Sequence, residues 1–491
     1  MEPVPDIRIR LANDLPVNAE GKLVLYWMTA FRRRNWNFSL QRAVQWASEL
    51  GKPLVVLEAL RCDYPWASDR LHRFIIEGMA DNLRDFASSG VCYYPFVEQR
   101  KGEGKGLIRA LGEHACVVVA DDYPAFFLPR MLQAAAGELR VKFELVDGNG
   151  LLPLAVARQA FTTAFSFRRF LQKNLPLQLD QFPAQNPLEG ASLPALATLP
   201  ETVVRRWPPT AGGILEGRPE AVAGLPVAHH VSAAPLRGGS AAAQEHLRSF
   251  LKGKFGSYHI IRNHPEEDAG SGLSPYLHFG HLAVHQVVSE LFDLEEWTPD
   301  RLGVKATGRR VGWWGLSDAA EAFLDQLITW RELGFNRCSQ RDDYDRLESL
   351  PSWALLELEQ HAGDRRPYCY GLAEFEAATT HDALWNAAQC QLLEEGRLHN
   401  YLRMLWGKKI LEWSSSPRDA LAIMIELNNK YALDGRDPNS YTGILWVLGC
   451  YDRPWFPVRP VFGRIRYMST QSTLRKLRVE AYLARYSRRP P

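Results

Sequence analysis

The chain has 491 residues, 46% apolar and 23% charged. That balance excludes disorder as a general description, and at roughly 100–200 residues per domain it predicts two to four units. The 58 Lys and Arg against 56 Asp and Glu leave a net charge of +2, which neither requires nor excludes a basic face. Seven scattered cysteines form no C-x-x-C pair. They argue against a zinc ribbon, a thioredoxin motif or a Cys-ligated iron–sulfur cluster, so no metal is expected, and they fit a reducing cytoplasm. The N-terminus lacks the apolar core of a secretory signal, and no stretch reaches the ~20 apolar residues of a membrane span. Trp is the odd component, with 15 copies, ten of them after residue 290.

Residues 22–148 alternate between strand and helix patterns. The apolar run Leu23–Trp27 suits a buried strand. A helix follows from Ser39, a suitable N-cap, to Leu50, with Gly51 placed to end it. Leu54–Leu57, Val91–Phe96, Cys116–Ala120 and Val141–Val146 read as further strands, with helices near 70–89, 105–114 and 125–138 between them. Such alternation implies a Rossmann-like, doubly wound parallel sheet over 20–155. The usual dinucleotide fingerprint is missing, because Gly102-x-Gly104-x-Gly106 lacks the third glycine at the right offset. Residues 156–244 read as an interdomain linker, rich in Pro, Ala and Gly between 180 and 243 and draped over the surface. From 245 to 480, apolar residues recur at three- and four-residue spacing, so this half is mostly helical. Residues 481–491 form a basic tail. The expected architecture is therefore α/β plus all-α.

Trp406 and Trp413 lie seven apart on a helical segment, almost two turns, and so share a face. The turn at Gly396 would fold Trp385 back beside them. Three indoles at such range suit electron transfer, although ordinary core packing explains the spacing equally well. Asp434-Gly435-Arg436-Asp437-Pro438-Asn439 is a polar turn that could bind a donor-rich ligand or simply be solvated. In Ala269–Gly280, small residues lead into Ser274-Pro275, a possible helix start facing phosphate. Gln326 lies one turn before Trp330 on the same helical face. From Arg459 onward, nine Lys or Arg face a single acid, Glu480. Aromatic residues interleave over 459–478, which suits nucleic acid, whereas 479–491 suits a solvated tail.

Together these segments resemble the photolyase/cryptochrome superfamily, and specifically class II cyclobutane-pyrimidine-dimer photolyases. The resemblance spans nearly the whole chain. It rests on Val24–Met28 with Asn35-Trp36, Leu273–Gly280, Trp330–Leu333, Leu384–Gln389, Lys408–Trp413, Asp434–Asn439 and Phe462–Met468, in matching order and approximate spacing. It implies an N-terminal antenna-type domain, which could carry a second chromophore of deazaflavin or folate type, and a helical domain holding a U-shaped FAD. It places Ser271, Leu273 and Ser274 at the FAD phosphates with Tyr258 nearby. Arg403 would pair with Asp434 beside the isoalloxazine, Asp437 would lie near the ribityl or flavin edge, and Asn439 would face flavin N5. Trp406, Trp385 and Trp413 match an electron-transfer chain, from proximal to distal. Trp330 and Trp455 would flank a flipped dimer, Tyr401 and Met404 would line its pocket, and Arg464 and Arg466 would grip the DNA backbone.

The implied activity is light-driven repair of cyclobutane pyrimidine dimers in UV-damaged DNA by a monomer in the cytoplasm, nucleoid-associated if the source is bacterial. Two alternatives stay open: a cryptochrome-like photoreceptor without repair, and repair of another lesion such as the (6-4) photoproduct. Three departures bear on them. Gln326 stands where class II enzymes carry a Glu, and an amide cannot supply a carboxylic proton or carry negative charge. Residues 296–316, with Trp297, Trp313 and Trp314, look inserted. The segment Gly449–Trp455 is about one residue short and lacks the usual His before its Asp.

Overall fold

The computed structural model describes residues 2–487. Arg488 and Arg489 of the expected basic tail lie outside the described residues. Two compact units divide the chain. One comprises the residues up to Ala157 with Leu175–Arg248 and Leu273–Glu296, and the other comprises Arg158–Asn174, Ser249–Gly272 and the residues from Trp297 onward.

The first unit is built on a six-stranded sheet, β1 (Ile9–Leu11), β2 (Leu23–Met28), β3 (Leu54–Leu60), β4 (Cys92–Val97), β5 (Ala115–Asp121) and β6 (Lys142–Val146), in the order β1-β6-β5-β2-β3-β4. Strands β2 to β6 pair in parallel. Every residue of β2 is buried because both faces of the sheet are covered. Leu23, Leu25 and Trp27 point into one apolar cluster, while Val24, Tyr26 and Met28 point into the other, as the period of two requires. β1 corrects the all-parallel expectation, since it pairs antiparallel with β6. Three residues on an edge, mostly exposed, carry no hydrophobic signal that a sequence reading could use.

Helix α1 (Phe38–Leu50) is capped by Asn37, whose Oδ1 accepts the Leu40 N–H at 3.1 Å. The expected cap, Ser39, is inside the helix and buried. Gly51 ends the helix at φ 60°, the left-handed conformation that favours glycine. The expected linker does not simply lie on the surface. Its helix Ala164–Asn174 belongs to the second unit, while Val203 and Trp207 are core residues of the first. The Trp207 indole N–H donates to the Glu103 carbonyl at 2.8 Å, which pins the Gly102–Gly106 loop. Leu273–Glu296, expected within the helical half, belongs to the sheet unit. There Leu273 is buried and precedes the short helix Ser274–His278, with Pro275 in its first turn.

One internal contact accounts for the absent nucleotide signature. The Asp121 carboxylate at the end of β5 accepts the backbone N–H groups of Thr29, Ala30 and Phe31 at 2.8, 2.7 and 2.9 Å. Those donors, at the carboxyl end of β2, lie where a nucleotide-binding sheet presents N–H groups to phosphate. Here the chain's own carboxylate takes them.

The second unit is helical. Helices Ala383–Glu395 and Asn400–Trp413 are joined at Gly396, φ 69°. Helices Pro417–Tyr431 and Pro438–Val447 frame the polar turn 432–437. The backbones approach closely at Gly334 in helix Arg331–Gln340, where a Cβ would stand 2.6 Å from the Pro438 carbonyl and 2.7 Å from the Asn439 nitrogen. Backbone cannot swing aside as a side-chain tip can. Gly334→Ala is therefore expected to destabilise the unit by about 1–3 kcal/mol and to displace Asn439, which thermal unfolding of the purified variant checks.

The segment from Trp297 to Glu321 supplies a small core of its own. Trp313 and Trp314 are buried and meet edge to face at 4.8 Å, and the Trp297 indole donates to the Trp314 carbonyl at 2.6 Å. Buried Glu321 accepts the N–H groups of Trp314 and Gly315. Among the described residues, no helix is long and apolar enough to cross a membrane.

Candidate active site and electron path

Three features of the helical unit meet on the helix Asn400–Trp413. The first is an ion pair. Arg403 Nη2 donates to both Asp434 oxygens, at 2.9 and 3.1 Å, in a largely buried setting. The turn bearing Asp434 is rigid because Arg436, at φ 64°, buries its guanidinium against backbone carbonyls, including that of Asn429. The Asp437 carboxylate caps helix Pro438–Val447 by accepting the Asn439 N–H at 2.8 Å. Asn439 sits in the first turn of that helix and is exposed. Arg436 escaped the sequence reading because a buried arginine satisfied by carbonyls looks, in sequence, like a surface cation.

The second feature is the indole trio. Trp385 stacks on Trp406 with centroids 6.4 Å apart and planes 5° from parallel, and meets Trp413 at 6.2 Å. All three are buried. The Trp385 indole donates to the Trp406 carbonyl at 3.0 Å, and the Trp406 indole to Gln389 Oε1 at 2.9 Å. Trp385 therefore bridges the other two, and each ring is held by a directional bond as well as by packing.

The third feature is a cavity of about 540 Å³ lined by Tyr401, Met404, Trp446, Trp455, Asn263 and Asn400, among others. Tyr401, Met404 and Trp455 were expected there. Trp446 was not, although it lies two turns after Asn439 on one helix, a spacing that places both on a common face. Gln326 and Trp330 are not among the lining residues. They occupy a π-helical turn, Asp325–Trp330, in place of the regular helix expected, and Arg168 holds that turn through Asp325 at 2.8 Å. Tyr258, expected near the cofactor phosphates, packs its ring against Phe250 and Phe323. Ser271 lies in the irregular stretch before Leu273.

The expected phosphate-gripping arginines are engaged within the chain. Arg464 pairs with Glu357, and Arg466 Nε donates to Asp452 at 2.7 Å while its guanidinium covers the Trp455 ring at 3.9 Å. Arg453 covers the same ring at 4.7 Å. Lys476, also on the cavity wall, carries no carboxylate partner among the described residues. Behind the wall, Lys408 is fully buried, donating to the Val447 carbonyl at 2.5 Å and facing the Trp446 ring at 4.9 Å. Burial pushes its ammonium down to about 7, Asp452 opposing the shift and Arg466 adding to it. Between that value and the ordinary ammonium range, the unfolded chain binds more protons than the folded one, so this group makes stability rise with pH. The natural chain should accordingly gain about 2 kcal/mol on Lys408→Met between about pH 6 and pH 9, measurable by denaturant unfolding at both ends.

With the geometry defined, the chain can be compared with known proteins. No protein-family model matches it. It is 32% identical over 483 residues to a deoxyribodipyrimidine photo-lyase of Methanothermobacter thermautotrophicus, covering 97% of each chain. It is 34% identical to one of Oryza sativa subsp. japonica, over 94% of this chain and 87% of the other. A third relative, from Potorous tridactylus, is 30% identical over 97% of this chain and 83% of its own. A solved class III photolyase from Agrobacterium tumefaciens shares the fold at TM-score 0.66 and 17% identity, covering 95% of this chain and 86% of that one. The fold is that of the photolyase/cryptochrome superfamily, with a sheet unit and a helical unit. Within it, the chain belongs to the deoxyribodipyrimidine photo-lyase family.

Proposed function

We propose that the protein repairs cyclobutane pyrimidine dimers in DNA with light, in the manner of class II photolyases. The observation that carries this reading is the single helix Asn400–Trp413, whose residues line the aromatic cavity, pair with Asp434 and form two of the three clustered indoles. The donor set fits a flavin. Arg403 and the Asn439 amide offer donors and Asp434 offers an acceptor, which suits a ring edge where carbonyl oxygens flank an N–H. Tyr258 and Ser271 would serve the phosphate side. When bound, reduced and excited, flavin adenine dinucleotide supplies the electron that opens the dimer.

The chain's own residues do the rest. An extruded dimer leaves the stack at less cost than an intact pair, and Trp446 and Trp455 offer the faces on which its bases stack. Met404 lines the cavity, and the amides of Asn263 and Asn400 can donate to pyrimidine carbonyls and accept from ring N–H groups. Lys476 contributes charge for phosphate without reading sequence. Trp406, Trp385 and Trp413 relay electrons inward to keep the cofactor reduced.

In the sheet unit, an aromatic group follows β3 and β5. Tyr64 stacks on His72 at 5.7 Å, and Trp66 stacks on Phe126 at 5.9 Å. Both Trp66 and Phe126 hold positive φ, 66° and 62°, a strained conformation for bulky residues. The carboxyl ends of parallel strands are where open α/β sheets take ligands, so a deazaflavin or folate antenna would sit here. The repair reading is tested in the dark: dimer-containing DNA should bind more tightly than undamaged DNA by about 1–3 kcal/mol per stacked base. Equal affinities would contradict it.

A further inference from the structure

The glycine-rich loop Gly102-x-Gly104-x-Gly106 walls a second cavity, this one in the sheet unit. The loop follows β4, at the carboxyl end of the sheet's edge strand. The cavity encloses about 590 Å³, the size of a small-ligand site. Tyr64, Trp66 and Phe126 are not among its lining residues.

Five cations line it: Arg100, Lys101, Lys105, Arg109 and Arg206. Arg100 is answered by Glu103 at 2.9 Å. The other Glu103 oxygen accepts the Gln99 and Arg100 N–H groups at 2.9 and 3.3 Å, so that carboxylate is engaged within the loop. Lys101, Lys105, Arg109 and Arg206 carry no carboxylate partner among the described residues. Unanswered like charges around one hollow repel each other, and a polyanion in the hollow turns that repulsion into attraction.

The loop is preformed. Buried Glu98 accepts the Gly104 N–H at 2.8 Å, and a Cβ on Gly104 would stand 3.0 Å from the same oxygen. Gly102 and Gly106 hold φ 74° and 90°, left-handed values that suit glycine. Trp207 ties the loop down through the Glu103 carbonyl, and the Arg206 guanidinium lies 4.5 Å over the Trp207 ring. The remaining charge on the wall is Glu138, the last residue of the helix Leu128–Glu138, and it carries no cation partner among the described residues.

We propose that this cavity binds a small ligand with two or more linked phosphates, of the class of nucleoside di- and triphosphates. The free ammonium and guanidinium groups donate to phosphate oxygens, and Glu138 accepts from a hydroxyl of the attached sugar. Cations converging on one hollow match a compact phosphate chain. Duplex phosphates lie along a rod instead, and an unpaired carboxylate among the cations opposes them.

The test is calorimetric titration of the flavin-loaded protein in the dark, with pyrophosphate, ATP, AMP and sulfate as probes. Pyrophosphate and ATP should bind more tightly than AMP or sulfate by about tenfold or more. Lys105→Gln combined with Arg109→Gln should weaken pyrophosphate by about tenfold or more and leave light-driven repair unchanged. Arg130→Gln, which removes an exposed charge outside the cavity, should leave pyrophosphate binding as it was. Glu138→Gln should tighten pyrophosphate severalfold, a gain that a misfolded variant cannot produce, and narrow the advantage of ATP over pyrophosphate. No pyrophosphate binding at millimolar concentration overturns the proposal, as does equal affinity for AMP. Displacement of pyrophosphate by undamaged duplex, with a matching loss of duplex affinity in the double variant, would make the cavity part of a DNA surface and overturn it too. Loss of repair with these titrations intact would instead count against the repair reading alone.

Discussion

Replacing Trp385 by Phe is expected to cut flavin photoreduction by at least about an order of magnitude, since each ~1.4 kcal/mol added to a barrier is a factor of ten. Trp385 is the ring through which the other two connect, at 6.4 and 6.2 Å. A benzene ring is far harder to oxidise than an indole, so Trp406 would lose its donor. The change also leaves a gap at a fully buried site and removes the bond to the Trp406 carbonyl, costing about 1–2 kcal/mol of stability. Trp406→Phe should act in the same direction at the head of the path. The check is the rate of flavin bleaching under blue light with excess thiol, normalised to bound flavin. Unchanged rates in both variants would show that electrons enter by another route.

The second large effect concerns the lesion cavity. Trp446→Ala is expected to weaken binding of dimer-containing DNA by about 1–3 kcal/mol, the value of one base–aromatic stack, and to leave binding of undamaged duplex nearly unchanged. Trp446 differs from Trp455 in degree: its ring is faced by the Lys408 ammonium at 4.9 Å and by Arg466 at 5.6 Å. The Trp455 ring carries two guanidiniums, Arg466 closer at 3.9 Å and Arg453 at 4.7 Å, so a base has more to displace in order to stack there. Trp455→Ala should therefore cost less binding than Trp446→Ala, because the arginine it releases can turn to phosphate. Competition binding in the dark with lesion-bearing and intact oligonucleotides measures both, and an equal loss for the two DNAs would assign Trp446 to packing alone.

How far the sequence was legible depended on whether an element carries its own periodic signal. The five parallel strands are short, mostly apolar runs, and each could be located within a few residues. β1 could not, because three edge residues gain their identity only from pairing with β6. The cap of α1 was misplaced by two residues because Ser39 and Asn37 are equally good cap types, and only the hydrogen bond to Leu40 decides between them. The Trp385–Trp406–Trp413 cluster could be anticipated from the heptad spacing and the glycine turn, although not the near-parallel stack of its first pair. Trp446 was overlooked because it continues an apolar helix without interruption. Arg464 and Arg466 looked like free cations, since the glutamate and aspartate that hold them are distant in the chain or hidden in a turn. The partition of 156–296 between the two units followed from long-range packing that no local pattern records.

The repair yield is the decisive quantity for the proposed function: Gln326 does not line the aromatic cavity, and an amide where the class II pattern has a Glu could donate a hydrogen bond but not carry charge. The most direct measurement is to reduce the bound flavin fully, add an oligonucleotide carrying one cyclobutane dimer, and quantify intact pyrimidines after saturating blue light. The proposed function predicts restoration of both bases, dependent on light and on the reduced cofactor. An unchanged dimer despite complete flavin reduction would contradict the account.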